Sequence, residues 1–327
     1  VSEQPLAVAV LGLGAMGRHH ARIAASLPGL KLVATCDPDL ARAREHAHGG
    51  ALAVATAAEL PASLDVAVIA APTTRHRELA EPLLLRGVSC LVEKPLAATL
   101  DEADALIEAA RRGGAQLAVG HAERFNPVMA QVRDRIREPR FVEAHRLGTF
   151  PDRSLDVDVV LDLMIHDLDL LLWLSGADML EVQAAGIDVL TPRVDIASAR
   201  LLLSSGCTAN LTASRVSAEP VRKLRVFQED AYVSVDLRAR SAEMSFVVRG
   251  AGRPEIRVER IDPPEEPGPE PLRLEQEAFM RAVRGGSGEP GASGLEGRRA
   301  LAAALAVLEA MRQHAVRVAA LRGAARA

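Results

Sequence analysis

A short apolar run that feeds straight into a glycine-rich turn constrains this chain more than any other feature. Leu6-Ala-Val-Ala-Val-Leu-Gly12-Leu-Gly14-Ala-Met-Gly17 reads as a strand, a tight turn and a helix starting near Ala15. Gly12 permits the turn, Gly14 lets the backbone approach a pyrophosphate, and Gly17 lets the helix pack closely on the strand. The first helical residues, Ala15 and Met16, then face the phosphates with unpaired N–H groups and a partial positive charge.

A second apolar run, Leu30-Lys-Leu-Val-Ala-Thr-Cys36, ends at Asp37, where a dinucleotide-binding fold places its ribose-binding carboxylate. Its oxygens can accept from both ribose hydroxyls and would repel a 2′-phosphate, so NAD is favoured over NADP. The plain alternative is that Asp37-Pro38-Asp39 is only a turn that opens a helix.

The pattern then alternates, as in a doubly wound sheet. Helix-like Leu40 to Ala47 precedes a short strand at Ala51 to Ala55, and Asp65 to Ala71 is a buried strand ending at Pro72-Thr73-Thr74. A helix through Arg86 leads to a strand at Val88 to Val92, ending at Glu93-Lys94-Pro95. Thr99 and Glu102 form a capping box for a helix to Arg112, and Ala115 to Val119 makes a sixth parallel strand. From about Phe141 the pattern changes: one helix, Asp156 to Leu174, precedes strands running from Leu180 to Ile261, whose alternation predicts an open antiparallel sheet. The segments Asp262 to Pro271 and Arg284 to Gly294 read as loops; between and after them lie two helices, the last running from about Leu295 to Ala315.

The expected fold is therefore α/β. A Rossmann domain with a doubly wound parallel sheet occupies 1–122, and an α+β domain on an open, mainly antiparallel sheet occupies 123–327. The helix 295–315 could pack back on the first domain. At 327 residues the chain is long enough for two cores. A net charge of −4 gives no reason to expect nucleic acid or an anionic membrane, and aromatics at 2% leave few platforms for bare bases. Small molecules are the expected partners. Cys36, Cys90 and Cys207 have no metal-ligand or redox spacing, so buried thiols in a reducing cytoplasm are expected, and no metal. The run from Leu6 to Met16 lacks a basic leader and is not read as a signal peptide, and no other run reaches the length of a membrane span.

Glu93-Lys94-Pro95, the glycine turn, and Asp162-Leu-Met-Ile-His166 together resemble the Gfo/Idh/MocA family of nicotinamide-dependent sugar and polyol oxidoreductases. Pro72-Thr73 with His76, and Arg124-Phe125-Asn126-Pro127, agree with it. The resemblance implies a cofactor held by Pro72, Thr73, His76, Glu93 and Lys94 besides the glycine turn. It also implies a substrate held between the nicotinamide and the sheet domain, and homo-oligomers built through that open sheet. Within the family, Gly120-His121-Ala-Glu123-Arg124-Phe125-Asn126-Pro127 and the Asp158 to Asp169 segment resemble the branch that oxidises the 3-hydroxyl of UDP-N-acetylglucosamine. That branch supplies a ketone to an aminotransferase for lipid A amino sugars. Related enzymes oxidise a UDP-sugar acid or free inositol with the same core residues. A sensor or corepressor keeping fold and cofactor without turnover is a third reading, against which the intact Lys94, Asp162 and His166 argue.

Lys94 is one of three lysines among 39 basic residues. An arginine stays protonated near neutrality, whereas a partly desolvated lysine beside a cationic nicotinamide can trade a proton. Asp162 and His166, four apart, lie on one face of a helix that Asp158 extends, while Val159, Val160, Leu163, Met164 and Leu170 bury the other. His166 could take a hydroxyl proton while the acid orients the ring or holds the sugar; a helix-stabilising pair or two metal ligands are the alternatives. Either Lys94 or His166 can be the base. A cis Lys94-Pro95 bond, as the resemblance implies, would fix the amine against the nicotinamide. Arg124, Arg146 and Arg153 are candidates to neutralise a diphosphate, with solubility as the alternative, and Phe125, Asn126 and His121 to contact substrate or cofactor. His19, His20 and Cys36 read as structural or peripheral.

Overall fold

The computed structural model describes residues 4–150, 157–250, 253–266, 268–287 and 290–324. Its contacts divide the chain into two units, residues 1–125 with 269–298, and residues 126–268 with 299–327. The first crossing falls close to the expected boundary at 122. The second returns residues 269–298 to the first unit, where the sequence grouped all of 123–327 together.

In the first unit, apolar runs too short for helices pair as parallel strands. These are β1 (Leu6–Leu11), β2 (Leu30–Cys36), β3 (Leu52–Val54), β4 (Val66–Ile69), β5 (Ser89–Glu93) and β6 (Leu117–Gly120). Helices α1 (Gly17–Ser26), α2 (Leu40–Glu45), α3 (His76–Leu85) and α4 (Leu100–Gly113) join them. Read across the sheet from β6, the order is β6-β5-β4-β1-β2-β3, the doubly wound order whose reversal beside β1 creates a ligand crevice at the strands' C-terminal ends. Val8, Val10, Val68 and Leu91 are fully buried on β1, β4 and β5. The capping box differs in one detail. Thr99 accepts the Glu102 N–H at 3.2 Å, but Glu102 reaches the Ala98 N–H at 3.0 Å rather than that of Thr99.

The second unit opens with α5 (Pro127–Val132), β7 (Phe141–Leu147) and α6 (Ile165–Ser175). There follow β8 (Met179–Ile187), β9 (Ile196–Leu203), β10 (Thr208–Ser214), β11 (Val221–Phe227), β12 (Ala231–Asp236), β13 (Ser241–Val248) and β14 (Glu255–Ile261). The eight strands lie in the order β14-β13-β12-β11-β7-β10-β9-β8, antiparallel except where β7 and β10 run parallel. Period-two alternation sends Val142 and Ala144, Leu201 and Leu203, Leu224 and Val226 to one face. Against them pack Leu168 and Leu171 of α6 and Ala303, Ala304 and Val307 of the final helix. Trp173, the chain's single tryptophan, lies near the C-terminal end of α6 with the Arg133 guanidinium 4.4 Å over its ring.

Three boundaries depart from the sequence reading. The helix expected over 156–174 begins outside the described residues; within them a π turn at Val160–Met164 continues as α6. The segment 284–294, read as loop, contains the two-residue strand β15 (Ala292–Ser293), which pairs antiparallel with β6 as a seventh strand. It is preceded by α7 (Pro271–Val283), and α8 (Gly294–Ala324) runs nine residues beyond the expected end at 315.

Candidate cofactor-binding and active-site residues

The glycine turn has little room for any other residue. Gly12 has φ of +86°, and a Cβ there would meet the Ala71 nitrogen at 2.6 Å. A Cβ on Gly17 would sit 1.7 Å from the Gly12 carbonyl oxygen, whereas one on Gly14 would meet nothing within 4 Å. Gly12 and Gly17 therefore close the turn, and Gly14 leaves open space above it. No side chain caps α1, whose first turn follows Ala15 and Met16, so its N-terminal donors suit an anion. Asp37, nearly buried, joins this turn: Oδ2 accepts the Leu13 N–H at 2.8 Å and Oδ1 the Asp39 N–H at 2.9 Å, with the Arg42 guanidinium 3.6 Å away. A diphosphate and an adjoining ribose fit this cradle.

At the next two strand ends the sequence-predicted residues interlock. Pro72 and Thr73 follow β4, and His76 begins α3. The His76 ring is buried, with Nε2 2.9 Å from the Ala71 carbonyl and Nδ1 3.0 Å from that of Pro95 and 3.3 Å from that of Leu96. It ties the loop after β4 to the loop after β5. Burial holds its pKa below the usual histidine value, against the pull of these three carbonyls. The Lys94–Pro95 bond is cis. Glu93 is buried just before it: Oε1 is 2.9 Å from His20 Nε2, and Oε2 accepts the Lys94 N–H at 3.2 Å. Burial alone would raise its pKa, but the hydrogen bond with His20, together with the charge and backbone N–H of Lys94, brings it below the usual glutamate value. Gly120 makes room for this carboxylate, since a Cβ there would lie 3.1 Å from Oε2.

Also in the first unit, Arg124 is buried, with Nη1 2.6 Å from Glu296 Oε1, and Phe125 lies beside Gly291, whose added Cβ would be 3.3 Å from the ring. His121 is buried and its backbone N–H donates to the Val119 carbonyl at 2.7 Å.

In the second unit, Asp162 lies in the π turn and His166 in the first turn of α6, both half-buried. Val159, Val160, Met164 and Leu170 are fully buried, while Leu163 is half-buried. Asp158 Oδ1 accepts the Val194 N–H at 3.2 Å. Asn126 caps α5 by accepting the Val128 N–H at 3.4 Å, and donates to the Leu237 carbonyl at 2.8 Å. Arg146 forms a buried two-point pair with Asp167 at 3.0 and 2.8 Å. Arg153 lies outside the described residues. Among the described residues no group of three His, Cys, Asp or Glu has the arrangement of a metal site. Cys36, Cys90 and Cys207 are free and buried, and burial raises all three thiol pKa values, to about 11 for Cys36 and Cys207.

Sequence reasoning missed the partners of these groups. Glu93 is reached by His20 and, through it, by Gln276 of α7; Asp167 by Arg146; and the fully buried Asp195 by Arg215, Nε to Oδ1 3.6 Å. A charged residue inside an apolar run, as at Asp167 and Asp169, was the one available signal.

Two family descriptions match: "Oxidoreductase family, NAD-binding Rossmann fold" over residues 6–121, and "GFO/IDH/MocA C-terminal domain" over residues 127–234. The UDP-N-acetylglucosamine 3-dehydrogenase of Acidithiobacillus ferrooxidans is 40% identical over 305 residues, 91% of this chain and 95% of that protein. The myo-inositol dehydrogenase Hyg17 of Streptomyces leeuwenhoekii is 34% identical over 64% of this chain and 70% of its own length. The solved structure of the A. ferrooxidans enzyme GnnA superposes with a TM-score of 0.85 at 38% identity, covering 94% of this chain and 98% of that one. Levoglucosan dehydrogenase in complex with NADH and levoglucosan shares the fold, with a TM-score of 0.80 at 19% identity, covering 95% of this chain and 98% of that one. With family models matching residues 6–121 and 127–234 and a relative aligned over 91% of its length, the chain belongs to the Gfo/Idh/MocA oxidoreductase family.

Proposed function

We propose that this protein oxidises the 3-hydroxyl of UDP-N-acetylglucosamine to a ketone with NAD. The observation that carries the substrate is the 40% identity over 91% of the chain to an enzyme of that activity, while the inositol dehydrogenase Hyg17 aligns over a smaller share at lower identity. The ketone would serve an aminotransferase in amino-sugar synthesis.

NAD supplies the acceptor for the hydride that leaves carbon 3. The chain's own residues do the rest. Gly12, Gly14, Ala15, Met16 and Gly17 hold the diphosphate, and Asp37 holds the ribose while disfavouring a 2′-phosphate. Pro72, Thr73, His76 and Glu93 would shape the loops that hold the cofactor. Lys94, Asp162 and His166 act on the sugar: Lys94 or His166 takes the hydroxyl proton as the hydride departs, and Asp162 orients the sugar or the ring. Asn126, Phe125, Arg124 and Arg153 are the substrate contacts we assign. Three buried free thiols favour a reducing compartment, the cytoplasm, and the open sheet of the second unit favours a homo-oligomer. No described helix is long and apolar enough to cross a membrane.

The test mixes protein, NAD and UDP-N-acetylglucosamine and follows NADH absorbance with a carbonyl reagent present, because such oxidations run uphill. NADH should appear with the nucleotide sugar and not with inositol. Lys94→Ala should reduce turnover by about a thousandfold, within the range general acid–base groups contribute, and leave the NAD dissociation constant nearly unchanged. Turnover of inositol instead would move the protein to the polyol branch.

A further inference from the structure

The buried polar cluster behind Lys94 does more than fill space. His20, on α1, and Gln276, on α7, are separated by 256 positions, yet both lie in the first unit with Glu93, and all three are more than nine-tenths buried. Gln276 Nε2 is 2.8 Å from His20 Nδ1 and 3.3 Å from the His20 carbonyl oxygen. A carbonyl can only accept, so the amide nitrogen, not the oxygen, must face His20. The same NH₂ group then donates to Nδ1 as well. Nδ1 is therefore an acceptor, the ring proton sits on Nε2, and Nε2 donates to Glu93 Oε1 at 2.9 Å. Glu93 Oε2 in turn accepts the Lys94 N–H.

We propose that Gln276 and His20 are positioning residues for the reaction: Gln276 fixes the His20 tautomer, His20 fixes the Glu93 carboxylate, and Glu93 fixes the backbone from which Lys94 projects. The inference rests on the dehydrogenase reading above. A buried hydrogen-bonded series is a poor means of gaining stability, since replacing the partners with apolar groups of the same shape can be nearly neutral. What it supplies is direction. Each group in the series has one acceptable orientation, and its last hydrogen bond ends on the residue assigned to the chemistry. Replacing the cluster with apolar groups should therefore preserve the fold and loosen the amine.

Two measurements test this. In protein with ¹⁵N-labelled histidine and no cofactor, His20 should show a protonated Nε2 and a bare Nδ1, and Gln276→Leu should mix the tautomers. In turnover assays, His20→Gln, which keeps a donor at the Nε2 position, should retain kcat within about threefold. His20→Leu should lower kcat about tenfold or more with the NAD dissociation constant unchanged. Should His20→Leu fail to fold, Gln276→Leu takes its place, with the same loss of kcat expected. An Nδ1–H tautomer in the wild type, or equal kcat in the Gln and Leu variants, overturns the proposal. If the wild type reduces no NAD with the nucleotide sugar, the substrate assignment fails, and the tautomer measurement still decides the relay.

Discussion

A carboxylate stays ionised inside a protein only where donors converge on it, and Asp195 shows how many that takes. It is fully buried, and Oδ2 accepts the N–H groups of Val189, Leu190 and Thr191 at 2.9, 2.7 and 2.9 Å, while Oδ1 accepts the Thr191 hydroxyl at 2.8 Å. Burial alone would raise its pKa, but these donors hold it at about 2, against the usual 3.8. Because the folded value is depressed, the stabilisation is fully present above about pH 4 and is lost as the pH falls through about 2. Asp195→Asn should accordingly be less stable at neutral pH and lose less stability than the wild type between pH 4 and pH 2, as read from urea midpoints across that range. At this scale the sequence showed groups whose meaning is local. Asp37 stood out because strand, turn and acid follow in order, and Lys94 because lysine is rare here. His20 was read as structural, since nothing in its neighbourhood announces Gln276, 256 positions away.

Elements depend on such pairs too, and α6 is the clearest case. Its sequence, Ile-His-Asp-Leu-Asp-Leu-Leu-Leu-Trp-Leu-Ser, is apolar nearly all round, as expected of a buried helix. Asp167 is admitted because Arg146 on β7 meets it with two parallel hydrogen bonds, next to His166. Arg146→Met alone should destabilise the protein by about 3–5 kcal/mol by taking the two-point ion pair from the buried Asp167 carboxylate, and Asp167→Leu added to it should restore most of that loss. Urea unfolding of both single variants and the double variant closes the cycle; simple additivity would show that the pair is not coupled. The four-residue spacing of Asp162 and His166 predicted a shared helical face but not the π turn between them, where the Ile165 N–H reaches back to the Val160 carbonyl. A widened turn keeps the same sequence pattern, so periodicity cannot reveal it, although such bulges occur often at functional sites. Nor was β15 legible. Two residues in a glycine-rich segment carry no period, and only β6 makes them a strand.

Across the whole molecule, the first unit was the more legible because its six parallel strands are short, mainly apolar runs bounded by turns. The return of residues 269–298 to that unit was not, since α7 has an amphipathic pattern that fits either core. A nucleotide-sugar enzyme must grip the diphosphate, so UDP should inhibit competitively against UDP-N-acetylglucosamine and raise the melting temperature. At a hundred times its dissociation constant it adds about 2.7 kcal/mol, a shift of several degrees. UDP without effect on either reading, together with a shift on adding inositol, would point to the polyol branch.

Trp173 offers a way to watch these events. As the chain's only indole, stacked beneath Arg133 on the helix that carries His166, it is the source of nearly all the protein's intrinsic fluorescence. Emission titrations need no label, and any ligand that reseats that helix will announce itself as a change in colour or quantum yield.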